Sequence, residues 1–161
     1  MIIVKLMGGL GNQLFQYATG RCLSSKKNNI LKLDINWYEK HPTRKYSLDN
    51  FSIKENIATK NEIDQLTRKK RILINKLLPG RMRLTAKPPG SHVIEKSLNF
   101  DPEIFDHLHD IYIEGYWQSE KYFIENADVI REEFTIKNPQ QGKDSEMNGL
   151  IDAVESVSLH I

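Results

Sequence analysis

"IIVKLMGGLGNQLFQYATGR", residues 2–21, passes from a short β-branched run through Gly8, Gly9 and Gly11 into a segment of different period. The run IIVKL, closed by glycine, reads as a buried strand. From Asn12 onward, Leu14, Phe15, Ala18, Cys22 and Leu23 recur at three- and four-residue steps. That spacing predicts a helix with Asn12 as its N-cap. Residues 29–35, NILKLDI, predict a second strand through Ile30, Leu31, Leu33 and Ile35. Strand, helix, strand within about thirty residues is a βαβ unit, whose strands must be parallel.

Working outward, residues 36–58 are irregular, and Ile63, Leu66, Leu73 and Leu77 predict a helix over 61–78. LPGR and KPPG then mark loops. HVIE (92–95) predicts a strand, FDPEIFDHL (100–108) a turn and short helix, and DIYIEGYW (110–117) a strand. Ser119 can cap a following helix whose face is Phe123, Ala127, Ile130 and Phe134. A last helix carries Met147, Leu150, Ile151 and Val154, and SVSLHI (156–161) alternates like a strand. The expectation is one α/β unit with a Rossmann-like parallel sheet and flanking helices.

Composition narrows the partners. A chain of 161 residues with 39% hydrophobic and 27% charged residues is ordinary globular material, and its net charge of +2 gives no general attraction to nucleic acid or membrane. The apolar start is too short for a secretory core or a transmembrane helix. The single cysteine, Cys22, cannot pair internally, which fits a reducing cytoplasmic compartment.

A glycine-rich turn between strand and helix offers free backbone N–H groups and the positive end of a helix dipole, the arrangement that holds phosphates. GGLGNQ lacks the Lys-Ser/Thr pair of a P-loop, and Leu14 stands where the dinucleotide fingerprint has its third glycine. Read generically, the loop is either an anion or nucleotide site or a plain tight turn.

The particular residues say more. GGLGNQLFQYATGR resembles the N-terminal motif of the α-1,2-fucosyltransferases, the inverting glycosyltransferases of family eleven. IEGYWQSEKYF (113–123) resembles that family's Gly-Tyr-Trp-Gln-Ser-x-Lys-Tyr-Phe stretch. LKLDINWY, YSLDNFSI (46–53) and SVSLHI follow the family in order, with 54–92 least informative. In the family a strand like SVSLHI leads into His-x-Arg-Arg-x-Asp-Tyr. Here His160 and Ile161 match its first two positions and the sequence given stops. The resemblance therefore implies the N-terminal, acceptor-side half of a two-domain GT-B type enzyme. The paired arginines and the donor-binding domain would lie beyond residue 161, and residues 1–161 alone would not turn over.

The implied reaction moves L-fucose from GDP-fucose to a galactose 2-hydroxyl of a surface glycan, with inversion and without a metal or other cofactor. The departing diphosphate needs a fixed cation, for which arginine is suited, and the acceptor hydroxyl must lose a proton to a base the sequence does not assign. The resemblance places Gly9, Gly11, Asn12, Gln13 and His160 on the donor side. Asn12 can hydrogen-bond a sugar or phosphate, or simply cap its helix. Tyr116, Trp117 and Gln118, following a strand, can hold an acceptor sugar or serve in packing. A non-catalytic carbohydrate- or nucleotide-binding module is the alternative.

DHLHD (106–110) pairs two histidines with aspartates but has no partner at recognisable ligand spacing, so no metal site is expected. Residues 60–87 form a basic helical insertion holding nine Lys or Arg against Glu62 and Asp64. Its stripe could rest peripherally on the anionic inner face of a membrane, or it could be a solvated face. Without interleaved aromatics it does not suit nucleic acid.

Overall fold

The computed structural model describes residues 1–67, 91–107, 110–138 and 143–157. Four strands form one parallel sheet: β1 (Ile2–Lys5), β2 (Leu31–Asp34), β3 (His92–Ile94) and β4 (Ile111–Glu114). Their order is β2-β1-β4-β3. Ile2 of β1 registers with Leu31 on one side and Ile111 on the other. Strands β1 and β4 are therefore central and covered on both faces, which is why both read as nearly continuous apolar runs. The expected Rossmann-like α/β architecture is the one observed.

Helices α1 (Leu10–Lys26), α2 (Lys60–Thr67) and α3 (Ala127–Glu133) flank the sheet, and a further helix, α4 (Lys143–Asp152), is exposed over residues 145–152. On one face Ile2, Val4 and Leu6 pack with Tyr17, Ala18 and Leu23 of α1 and Ile130 of α3. On the other, Ile3 and Tyr112 pack with Ala58 and with Ile63 and Leu66 of α2. A Cβ at Gly20 would stand 2.1 Å from Val4 Cγ2, so only glycine lets α1 lie this close to β1. Beyond β2, residues 56–58 cover the sheet edge: Leu33 N–H donates to Asn56 O at 2.8 Å, and Ala58 N–H to Leu33 O at 2.9 Å.

Three expectations need correction. Helix α1 starts at Leu10 with Gly9 as N-cap, not at Asn12. Gly9 is extended (φ −80°, ψ 177°) and its carbonyl already accepts from Gln13 N–H at 3.1 Å, so the helical ladder begins before Asn12 is reached. The helix expected after Ser119 is divided into two 3₁₀ turns, Glu120–Tyr122 and Ile124–Asn126, ahead of α3. Those turns drive Tyr122 into the core and set Phe123 edge-on to Phe15 at 5.9 Å. Ser156 and Val157, the start of the expected last strand, stand outside the sheet, and the remainder of that segment lies outside the described residues.

Of the basic insertion, only Lys60–Thr67 is described, residues 68–87 lying outside the described set. Within it Ile63 and Leu66 are buried against the sheet, so this part of the apolar stripe does not face a lipid surface. No helix among the described residues is long and apolar enough to cross a membrane.

Candidate functional site

Strands β1 and β4 are neighbours, so the loops at their carboxyl ends meet, where open α/β sheets bind their ligands. Gln16, fully buried on α1, ties the two loops together. Its Oε1 accepts from Met7 N–H at 3.0 Å, and its Nε2 donates to Gly115 O at 3.0 Å. Gln13, one turn earlier and equally buried, does the same for a third loop. Its Nε2 donates to Lys45 O at 2.8 Å and Gly8 O at 3.4 Å, and its Oε1 accepts from Ser47 N–H at 2.9 Å. With its amide engaged on backbone, fully buried Gln13 shapes the glycine loop from beneath.

Gly8 has φ +80°, and a Cβ there would stand 2.5 Å from Asn12 Nδ2. The left-handed backbone favours glycine here, and the end of the Asn12 amide lies over it. Half-buried Asn12 accepts through Oδ1 a 2.8 Å hydrogen bond from Nε2 of exposed Gln118. The two long motifs of the sequence join through this contact.

The turn after β4 rests on Glu95. Its carboxylate accepts from the N–H groups of Tyr116 at 2.7 Å and Trp117 at 3.0 Å. A Cβ on Gly115 would come within 2.4 Å of Glu95 Cβ, so the close approach excludes any side chain. Trp117 has φ +55°, and its indole is 2% exposed, edge-on to Tyr122 at 5.5 Å. It is a core residue that also lines a cavity of about 240 Å³ with Glu95 and Ile104. Tyr116 and Gln118 remain exposed beside the loop.

The electrostatics at the loop are positive. The first turn of α1 has no acidic residue and no side-chain cap, leaving the N–H groups of Leu10, Gly11 and Asn12 without intrahelical partners. Arg44 lies over the loop, with Nη1 3.7 Å from the point a Cβ on Gly9 would occupy. Tyr38 hydroxyl donates to Gly8 O at 3.3 Å; burial pushes its pKa up to about 12, so it remains a donor across the neutral range. Arg44, Gln16 and Glu95 escaped the sequence reading. Arg44 and Glu95 sit in aperiodic loops, and Gln16 looks like a solvent-facing helix position.

His160 lies outside the described residues, as does His109 of DHLHD. Among the described residues no three His, Cys, Asp or Glu side chains gather to hold a metal ion.

The fold and this loop place the chain in the Rossmann-like α/β class with a glycine-led helix at the carboxyl edge of the sheet. Among characterised proteins it is similar to an α-1,2-colitosyltransferase of Escherichia coli, at 31% identity over 163 aligned positions. The match covers 100% of this chain and 53% of the relative, so the chain spans about half the length of the protein it resembles. No family model and no solved structure matches it.

Proposed function

We propose that this chain carries the glycine-loop half of the active site of an α-1,2-glycosyltransferase that moves L-fucose from GDP-fucose to a galactose 2-hydroxyl of a surface glycan with inversion. The observation that carries the reading is the Asn12–Gln118 hydrogen bond at the mouth of an uncapped helix N-terminus. It puts an amide pair beside free N–H groups, suited to a sugar next to a phosphate. The similarity to an α-1,2-colitosyltransferase supports sugar transfer in that linkage.

In the proposed reaction the acceptor oxygen forms a bond to the anomeric carbon. The bond from that carbon to the diphosphate oxygen breaks, GDP leaves with the electron pair, and the acceptor hydroxyl proton passes to the departing diphosphate. Charge accumulating on the diphosphate is met by the α1 N-terminus, by the backbone of Gly9 and Gly11, and by Arg44. Arg44 thus takes at the loop the kind of role for which the family's paired arginines are suited. Gln13 and Gln16 hold the loop in shape, and Asn12 orients the sugar. His160, by its motif match, belongs to the donor side.

Colitose lacks the 3-hydroxyl that L-fucose carries, and the colitosyl relative makes the choice of donor sugar the natural test. Purified product of the complete gene is incubated with a β-galactoside and either GDP-fucose or GDP-colitose. A site that hydrogen-bonds the 3-hydroxyl prefers fucose by about 10⁴-fold, whereas one that does not discriminates little. Transfer from GDP-fucose is expected. Preference for GDP-colitose replaces the donor assignment, and transfer from neither overturns the reading.

A further inference from the structure

On the face of the sheet opposite α1, a cleft of about 710 Å³ opens between the strand ends, the 36–41 loop and α2. Its floor is polar and ordered. Glu114 of β4 holds Lys5 Nζ of β1 at 2.5 Å and His92 Nε2 of β3 at 3.0 Å. Beside them Tyr112 hydroxyl donates to buried Asp34 Oδ2 at 2.7 Å. Burial pushes the Glu114 carboxyl up, but its bonds to Lys5 and His92 outweigh this and leave it lowered, so the floor carries a carboxylate at neutral pH. One wall is the half-buried indole of Trp37, stacked parallel on His41 with centroids 3.8 Å apart.

The charge of this cleft differs from that of the glycine loop. Three lysines line it against four carboxylates, so no surplus of cation awaits a diphosphate. A neutral sugar fits better. Its hydroxyls donate to carboxylates and accept from the ammonium group, while its C–H face suits an aromatic wall. The cleft also adjoins the loop through consecutive residues, since Tyr38, next to Trp37, bonds Gly8 O.

We propose that this cleft is the acceptor subsite and seats a neutral pyranoside between the Trp37 wall and the Lys5–Glu114–His92 floor. The proposal rests on the transferase reading above. It moves the acceptor away from Trp117, which is in the core.

The test is ligand-observed NMR on the complete gene product, with methyl β-D-galactopyranoside and GDP-fucose titrated separately. Wild type is compared with Trp37→Ala, Asn12→Ala and Asp64→Trp, the last obstructing the cleft from its α2 wall without altering the loop. Galactoside affinity is expected to fall about tenfold or more in Trp37→Ala and Asp64→Trp, with GDP-fucose affinity kept. Asn12→Ala is expected to do the reverse. Galactoside binding that is unchanged in both cleft variants, or that weakens only in Asn12→Ala, overturns the proposal. So does a parallel loss of GDP-fucose binding in the cleft variants. Binding of GDP-fucose without any binding of the galactoside overturns the cleft alone and leaves the donor reading standing. Binding of neither overturns both.

Discussion

Asn12 and Gln118, 106 positions apart in sequence, share a 2.8 Å hydrogen bond that closes the glycine loop against the turn after β4. If the pair acts as one unit at the sugar, its members must be coupled. Asn12→Ala and Gln118→Ala are each expected to slow transfer, and the double variant to be no worse than the more damaging single one. The coupling expected from a double-mutant cycle on kcat/KM is about 1 kcal/mol. Strict additivity would mean that the contact is incidental.

Gln16 is expected to matter for stability more than any exposed residue of the site. Gln16→Leu leaves half-buried Met7 N–H and buried Gly115 C=O without their partner. Each such group costs about 1–3 kcal/mol, so urea denaturation is expected to register about 2–6 kcal/mol in all. A loss below about 0.5 kcal/mol would show that water replaces the amide and that the clamp is dispensable.

Glu133 joins α3 to α1. Its carboxylate accepts from Tyr17 hydroxyl at 2.7 Å and from Arg21 Nε at 2.9 Å, at 6% exposure. Burial and the bond to Glu133 both push the Tyr17 hydroxyl up, so it remains protonated and donating. Glu133→Ala strands a largely buried guanidinium and is expected to cost about 3 kcal/mol or more. Glu133→Gln keeps an acceptor and is expected to cost less. Equal losses in a thermal melt would assign the effect to packing instead of charge.

Much of this fold was legible in the sequence, and the site was legible only in part. The βαβ start could be read because β1 and β2 carry apolar runs and α1 carries its period between them. Buried polar residues defeat that reading. Gln13 and Gln16 sit three apart on a helix and resemble a solvated face, yet both are fully buried because three loops need their amides. The burial of Trp117 was hidden for a different reason. Its exposure depends on a left-handed residue at φ +55° held by Glu95, and no local spacing encodes that turn. Arg44 reaches Gly9 only because the 41–47 loop folds back over it, a long-range contact without periodicity.

The start of α2 gives a pH test. Thr59 and Glu62 form a capping box: Thr59 N–H donates to Glu62 Oε2 at 2.8 Å, and Glu62 N–H to Thr59 Oγ1 at 3.4 Å. The bond from Lys32 and this cap hold the Glu62 carboxyl down at about 2. A carboxylate with a depressed folded pKa adds stability that is fully present above its unfolded pKa, about 4.3. That contribution disappears as pH falls toward about 2. Wild type is therefore expected to lose more stability than Glu62→Gln between those values, with parallel curves above. Curves parallel throughout would remove Glu62 from the acid response.

The most direct test of the central claim is the initial rate of sugar transfer from GDP-fucose to methyl β-D-galactopyranoside, catalysed by the complete gene product. Wild type is compared with Asn12→Ala and Arg44→Ala, and the linkage formed is determined. An α-1,2-linked product is expected, with kcat/KM lowered about a hundredfold by loss of the loop cation. Wild-type rates in both variants, or an α-1,2 transferase that ignores GDP-fucose, would contradict the claim that this glycine loop holds the GDP-fucose donor.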